Sequence, residues 1–412
     1  MKNIYNITHE IEEELVKQSF LAMGYSSPNP PVGCVLSDLE GNILSKGHTQ
    51  KTGFDHAEIS AYNNFTKTGV SHNVFVTLEP CTHTGKTPPC ADTILKKRPE
   101  SVFYGLKDPN PLVVDSSFEK KYSDEKIDIS KSDEIQKIAK AYLNGFLSRI
   151  HFGRPAVLVK IVETKEGFFG SQDESVRISS PESDNMSQLL RAKFDGIIVG
   201  PKTISMDKPL LDFRKIKSRE NNYKVTQNEN LFFSNLFSIS GDDSVISFHS
   251  ENSEDYQPFR IFVLSREEEV SEDFLIKQFE INEKHKSKKA IFFLLDSRRK
   301  NINCISEKTI INLKKLTLHE IFPISEEEIP SKIFDSLKKL ELNTLIVEGG
   351  NLLYRAFTKN LSRYDSILKI TGNSVSLKKG ILPELNYQNT CRNFRAEIGR
   401  DTWEVFGCLP ES

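Results

Sequence analysis

Three side chains fit to bind a metal set the strongest limit on how this chain folds: His56 in His56-Ala57-Glu58, and the two cysteines that bracket CTHTGKTPPC, Cys81 and Cys90. An apolar run at 74–78, read as a strand, separates the histidine from the cysteines. Ligation of one ion therefore needs a helix opening near His56, a strand ending at Glu79-Pro80-Cys81 and a second helix opening at Cys90. Two thiolates and a neutral imidazole balance the charge of Zn²⁺ and leave a fourth position open for water. Such an open site is catalytic in character, because water on the ion has its pKa drawn toward neutrality. Glu58 falls in the first turn after His56, where it can reach that water as a proton shuttle without being a ligand. Cys90 at a helix N-terminus is favoured as a thiolate. A zinc-stabilised binding module without catalysis is the rival from another class. Glu58 argues against it, and a fourth ligand such as Cys34 would favour it.

A chain of 412 residues exceeds one ordinary core, so two domains, or three, are expected. The formal charge of −2 offers no broad basic field for a nucleic-acid backbone. No apolar run has the length of a membrane span or a signal peptide, and six cysteines make no disulfide scaffold in so long a chain. The expected setting is a reducing cytoplasm with thiols free to bind metal, without nucleic-acid or membrane partners. The sequence leaves a homo-oligomer open.

An amphipathic helix is expected at 8–23, with Ile11, Leu15 and Phe20 on one face and Gly24 stopping it. A hairpin at 32–48 turns at Glu40-Gly41-Asn42; a helix at 56–66, a strand at 74–78, a helix at 90–97 and a strand at 101–106 follow. That order describes a three-layer α/β domain. A helix at 133–150 closes it, and Gly153-Arg154-Pro155 breaks the chain, so the domain boundary is set near 150. Apolar strands at 156–162, 196–199, 261–264, 290–295 and 344–347 alternate with helices and suggest a second α/β domain over 151–412. Within it, 215–257 is polar, Asn- and Ser-rich and only briefly apolar at 231–237, and reads as a mobile surface insertion.

The His-x-Glu and paired-Cys pattern is that of zinc nucleobase deaminases, whose two cysteines stand two residues apart; here eight residues separate them. With its longer loop, the stretch from 10 to 115 resembles the deaminase half of the bifunctional riboflavin-biosynthesis deaminase–reductases. The resemblance is carried by Pro28-Asn29-Pro30-Pro31-Val32-Gly33-Cys34, Gly47-His48, Thr77-Leu78-Glu79-Pro80-Cys81 and Asp108-Pro109-Asn110-Pro111. It implies a cytidine-deaminase-like α/β/α domain acting on the exocyclic amine of a diaminopyrimidinone ribosyl phosphate. His56, Cys81 and Cys90 would bind one zinc, Glu58 would be the catalytic proton shuttle, and Asn29, His48, His83, Lys86, Asp108 and Asn110 would contact substrate. Read from the residues alone, Asn29 and Asn110 between prolines serve either substrate or turn geometry.

No G-x-G-x-x-G follows a strand in the second half, so a Rossmann cofactor domain is unsupported. An apolar strand does run through Glu348-Gly349-Gly350 into a helix, which is either a backbone approach to phosphate or simply a strand-to-helix turn. The family resemblance implies a dihydrofolate-reductase-like α/β domain that uses NADPH to open a ribose into ribitol. Ser175, Arg191, Leu211, Arg214 and Glu348 would then lie against substrate. Val162, Arg177, Thr203, Asp207, Ser265 and the run Gly350-Asn351-Leu352-Leu353-Tyr354-Arg355-Ala356 would lie against NADPH. Two arginines in one pocket suit a ribosyl phosphate, although unrelated surface positions remain the alternative. Arg177 stands where the family usually has Trp, and Lys165-Glu166 depart from its usual Leu-Asp. A deaminase with a non-catalytic reductase-like domain is therefore the second reading.

Overall fold

The structure, a computed structural model, describes all residues except 1–6, 68, 83–87, 110–121, 172–174, 215–222, 266–269, 286–288, 296–314, 324, 386–389 and 409–412. The chain divides into two compact units, Met1–Phe152 and Gly153–Ser412.

In the first unit, helix α1 (His9–Ala22) starts where the Thr8 hydroxyl accepts the Ile11 N–H. It buries Ile11 and Leu15 against a sheet. That sheet holds β1 (Gly33–Ser37), β2 (Ile43–His48), β3 (Asn73–Leu78), β4 (Ser101–Leu106) and β5 (Asp128–Lys131) in the order β2-β1-β3-β4-β5. β1 is antiparallel to β2 and β3, and β3, β4 and β5 run parallel. β1 and β3 are buried along their whole length, as central strands covered on both faces must be. The helices that cover them are α1 with α4 (Asp133–Tyr142), and α2 (Ala57–Asn63) with α3 (Cys90–Lys97). The helix expected at 133–150 is two helices, α4 and α5 (Asn144–Phe152), because Leu143-Asn144-Gly145 places two weak helix formers at the junction. Gly47 is required where α2 crosses β2. A Cβ there would lie 2.3 Å from the Ala61 nitrogen and 2.6 Å from the Ala57 carbonyl oxygen. That close approach seats the start of α2, and with it His56 and Glu58.

The second unit is built on β6 (Ala156–Thr164), whose parallel neighbours are β12 (Thr344–Glu348) and β13 (Ser366–Gly372). Outward from β12 run β7 (Gly196–Val199), β9 (Phe259–Leu264), β10 (Ala290–Leu295) and β11 (Thr317–Ile321), all parallel. Outward from β13 an antiparallel meander continues through β15 (Asp401–Cys408), β14 (Thr390–Ile398) and β8 (Tyr223–Asn228). Helices α6 (Pro181–Ala192), α7 (Pro201–Asp207), α10 (Glu272–Lys284), α11 (Ile329–Leu337) and α12 (Asn351–Thr358) connect the strands.

The segment 215–257 departs from its expectation as a mobile insertion. Its first residues lie outside the described set, but 223–257 joins the fold. β8 extends the sheet edge, α8 (Leu231–Ile239) buries Phe232, Phe233, Leu236 and Phe237, and α9 (Asp243–Glu251) buries Val245 and His249. The Phe237 ring stands 5.5 Å from those of Phe394 and Trp403. The brief apolar run at 231–237 is the core-facing stripe of a short helix, diluted when composition is averaged over the whole segment.

Candidate functional sites

The register of the first sheet brings the candidate residues of that unit to one end. Cys81 follows β3 and Asp108 follows β4, its parallel neighbour, so both leave the carboxyl end of the sheet. β1 runs the other way, which sets Gly33 level with the end of β3; its N–H donates to Thr77 Oγ1 at 3.1 Å. His48 pairs with Gly33, and Asn29 lies in the turn leading into β1, its N–H donating to the Ser26 carbonyl at 3.0 Å. His83, Lys86 and Asn110 lie outside the described residues.

At this end His56, Cys81 and Cys90 converge, their donor atoms all within 4.8 Å of one another. His56 is the extended residue that caps α2, and Cys90 is the first residue of α3. Both sulfurs face His56 Nδ1, Cys81 Sγ at 3.6 Å and Cys90 Sγ at 3.4 Å. The start of α3 binds the first cysteine: the Cys90 N–H donates to Cys81 Sγ at 3.3 Å and the Ala91 N–H to the Cys81 carbonyl at 3.1 Å. Hydrogen bonding from Cys90 drives the Cys81 thiol well down against the effect of burial, and the Cys90 thiol is pushed up in turn. The hydrogen bond to Cys81 raises His56 to about 9. The three groups thus share protons that a soft divalent cation would displace, and the donor set fits zinc. Cys34 stays out of the cluster, buried on β1 with its thiol raised by burial, so among the described residues no fourth ligand closes the site. Glu58, 4% exposed, touches Cys90, and burial lifts its carboxyl to about 7. Two residues in contact with expected site residues escaped the sequence reading. Glu79 accepts the Asp108 N–H at 3.1 Å, and Gln18 stands 2.9 Å from His48 Nδ1. Glu79 lay in plain view inside the TLEPC motif; Gln18 carried no signal.

The second unit holds a cavity of about 490 Å³ at the carboxyl ends of β6 and β12. Of the expected substrate residues, Ser175, Arg191, Leu211 and Glu348 line it. Of the expected cofactor residues, Val162, Thr203, Asp207, Gly350, Asn351 and Tyr354 do. Glu348 is held between Lys160 Nζ at 3.2 Å and Arg191 Nη2 at 2.9 Å. Burial pushes its carboxyl up, but the two cations outweigh it and hold it at about 2. Two cations against one carboxylate leave a net positive site, suited to an anion. Lys160, a charged residue inside the apolar strand AVLVKIV, is the signal to which the sequence reading gave no role. Leu211, buried, adopts φ +61, a left-handed conformation that orients the loop bounding the cavity. Gly349 has φ +85, and a Cβ there would meet Thr203 Oγ1 at 2.5 Å. At Gly350 a Cβ would meet nothing nearer than Gly200 Cα at 3.9 Å, which leaves room for a ligand against bare backbone.

The remaining expected residues do not line the cavity. Arg214 is exposed and leans on Asp212 at 3.6 Å, and Arg177 turns outward to pair with Asp184. Leu353 and Ala356 face the core, Leu352 packs against it, and Arg355 is held by Glu326 and Glu384. A contiguous run of seven cannot all face one ligand: on α12 the cavity takes Asn351 and Tyr354, one turn apart. Ser265 follows β9 and is also outside the lining.

Fold and sites together define a cytidine-deaminase-like domain joined to a dihydrofolate-reductase-like domain. The sequence profile of the cytidine and deoxycytidylate deaminase zinc-binding region matches residues 9–106. That of the RibD C-terminal domain matches residues 155–361, half of the chain, and the chain belongs to that family. It is 32% identical over 204 residues to riboflavin biosynthesis protein RibD of Aquifex aeolicus, covering 49% of this chain and 56% of that one. With the RibD of Escherichia coli it shares 32% over 206 residues, 50% of this chain and 55% of the other. The chain thus spans about half the length of the curated relatives it matches. The fold extends further. RibD of Acinetobacter baumannii superposes with a TM-score of 0.69 at 18% identity, over 97% of this chain and 98% of that one. A diaminohydroxyphosphoribosylaminopyrimidine deaminase/5-amino-6-(5-phosphoribosylamino)uracil reductase of Thermotoga maritima gives 0.70 at 19%, over 97% and 99%.

Proposed function

We propose that this chain performs two consecutive steps of riboflavin biosynthesis. The first is zinc-dependent hydrolytic deamination of 2,5-diamino-6-(5-phosphoribosylamino)pyrimidin-4(3H)-one. The second is NADPH-dependent reduction of the ribosyl group of 5-amino-6-(5-phosphoribosylamino)uracil to ribityl. The observation that carries the reading is the convergence of His56, Cys81 and Cys90 beside a buried Glu58. These three residues would hold zinc, which supplies Lewis-acid activation of the attacking water. Glu58 takes the proton released by that water and returns it to the departing amine, the task of a carboxylate whose ordinary acidity burial has weakened. Asn29, His48 and Asp108, with His83, Lys86 and Asn110, hold the pyrimidine ribosyl phosphate.

In the second unit NADPH supplies the hydride. The bare backbone at Gly350 and the side chains of Thr203, Asp207 and Asn351 hold the cofactor. Arg191 and Lys160 receive the anionic substrate, with Glu348 fixing both cations in place. The enzyme works in the cytoplasm, alone or as a homo-oligomer. A second reading, deamination alone, is favoured by the outward turn of Arg177. One coupled assay separates the two: purified protein is given the diaminopyrimidine substrate with and without NADPH. Ammonia release in both arms with NADPH oxidation in one supports both steps. Ammonia release without NADPH oxidation leaves the deaminase alone, and no ammonia in either arm overturns the proposal.

A further inference from the structure

The segment 376–385 follows β13, beyond the residues matched by the RibD C-terminal profile, and lends one side chain, Ile381, to the cavity of the second unit. Three sets of contacts hold it. At its start Glu166, which departs from the family's usual Asp, accepts the Ser376 hydroxyl at 2.8 Å and the Leu377 N–H at 3.4 Å. In its middle Ile381 pairs with Gly170. The Phe169 N–H donates to the Ile381 carbonyl and the Ile381 N–H to the Gly170 carbonyl, both at 2.9 Å. Gly380 lets the two backbones meet: a Cβ there would lie 2.6 Å from Phe168 Cβ and 2.8 Å from the Gly170 carbonyl oxygen. At its end the Glu384 N–H donates to Asn351 Oδ1 at 3.0 Å, and Asn351 Nδ2 donates to Glu384 Oε1 at 2.9 Å and to the Leu382 carbonyl at 3.0 Å. Arg355 Nη1 adds a bond to Glu384 Oε2 at 2.9 Å, and Leu385 packs on the core.

A side chain that must meet a ligand in one place needs its backbone held on both sides. The outer bonds are exposed and individually weak. They flank the backbone bridge, however, and so fix the chain before and after Ile381. An aspartate at 166, one methylene shorter, would draw its oxygens back from Ser376. Ile381 itself adjoins Phe169, whose ring meets that of Tyr354 edge-on with centroids 5.5 Å apart, and all three line the cavity. Apolar surface there gains by covering an uncharged ring and offers a phosphate nothing in exchange for its water.

We infer that 376–385 is a fixed wall of this cavity, in which Glu166 and Glu384 are positioning residues that hold Ile381 against an uncharged ring of the bound ligand. Arg355, expected on NADPH but outside the cavity lining, acts at one remove through Glu384. The amide oxygen of Asn351 keeps a second lone pair for the cofactor. Both the dihydronicotinamide of NADPH and the pyrimidine of the substrate present such a ring. The ligand half rests on the function proposed above; the tethering of the wall does not.

Amide hydrogen exchange of the full-length, zinc-loaded chain reads the wall without ligand. Glu166→Ala and Glu384→Ala should each speed exchange across 376–385 by about five-fold, with the melting transition unchanged. Glu384→Gln, which keeps an oxygen for Asn351, should restore most of the protection. Exchange unaltered in both alanine variants overturns the tethers. NADPH and 5-amino-6-(5-phosphoribosylamino)uracil are then added separately to the unmutated protein. Slowed exchange at the Ile381 N–H with NADPH assigns the ring to the dihydronicotinamide, and with the uracil compound to the pyrimidine. Ile381→Ala should raise the Kd of whichever ligand slows it roughly ten-fold, the worth of the apolar surface removed. Glu384→Ala should raise the same Kd by a smaller factor, and Glu384→Gln should recover it. Binding of both ligands with exchange at Ile381 unchanged, or an unaltered Kd in Ile381→Ala, overturns the wall's contact with ligand. Failure of the unmutated protein to bind either ligand sinks the proposed reductase function instead, and the exchange rates of the variants still decide the tethers.

Discussion

Glu58 is a buried carboxylate beside the cysteines of the candidate metal site, and the proposed function makes it the group that moves the proton. Burial lifts Glu58 to about 7, so it can both take and give a proton near neutral pH. Glu58→Gln keeps shape and removes that exchange. The variant should retain its zinc and fold while deamination falls by about 10²–10⁴-fold; near-normal turnover would assign the proton to another group. Cys81→Ser or Cys90→Ser should instead lose the metal itself, which elemental analysis of the purified variants would show. Glu348 makes the opposite use of burial. Its carboxyl is depressed to about 2, below the ~4.3 of an unfolded chain. Its contribution to stability is thus complete above about pH 4.5 and is lost as pH falls through 2. Glu348→Gln leaves Lys160 and Arg191 without their counter-charge, at a cost of about 3 kcal/mol. Denaturation curves should show that gap constant from pH 7 to 5 and closing toward pH 2. A gap that widens on acidification would contradict the ion-pair account.

At the scale of elements, the sequence made legible whatever was both local and periodic. The cluster could be read because His56, Cys81 and Cys90 sit where a strand end and two helix starts are marked by Pro, Cys and hydrophobic spacing. Of the Lys160–Glu348–Arg191 triad, the family resemblance named Arg191 and Glu348, whereas Lys160 could not be read, because β6 and β12 meet only through the order of the second sheet. Of the run from Gly350 to Ala356, only Gly350, Asn351 and Tyr354 line the cavity, since a helix turns only one face toward it. The segment at 215–257 misled for a third reason: α8 is short, and its apolar stripe is surrounded by polar chain that pairs at a sheet edge. Phe237→Ala should accordingly cost about 3–5 kcal/mol, because the ring is fully buried against Phe394 and Trp403. Chemical denaturation measures this. A loss under about 1 kcal/mol would return the segment to the status of a surface insertion.

For the whole molecule, the decisive feature is that each candidate site draws its described residues from a single unit. The zinc cluster and Glu58 belong to Met1–Phe152, whereas the cavity draws all its residues from Gly153–Ser412. Among the described residues, no cysteine or histidine lines the cavity. Removal of zinc should therefore act on one activity only. After chelation and desalting, deamination should fall at least about 100-fold, and added Zn²⁺ should restore it. On the proposed function, reduction of separately supplied 5-amino-6-(5-phosphoribosylamino)uracil should continue within about two-fold of the untreated rate, since the described lining of the proposed reductase cavity holds no cysteine or histidine. The first unit should also lose thermal stability on chelation and regain it with zinc, because binding to the folded state alone adds directly to folding free energy. Following both rates and the melting transition on one chelated sample tests the division. Parallel loss of the two activities would mean that the second unit depends on the metal site of the first, and the assignment of separate, self-contained sites would fail.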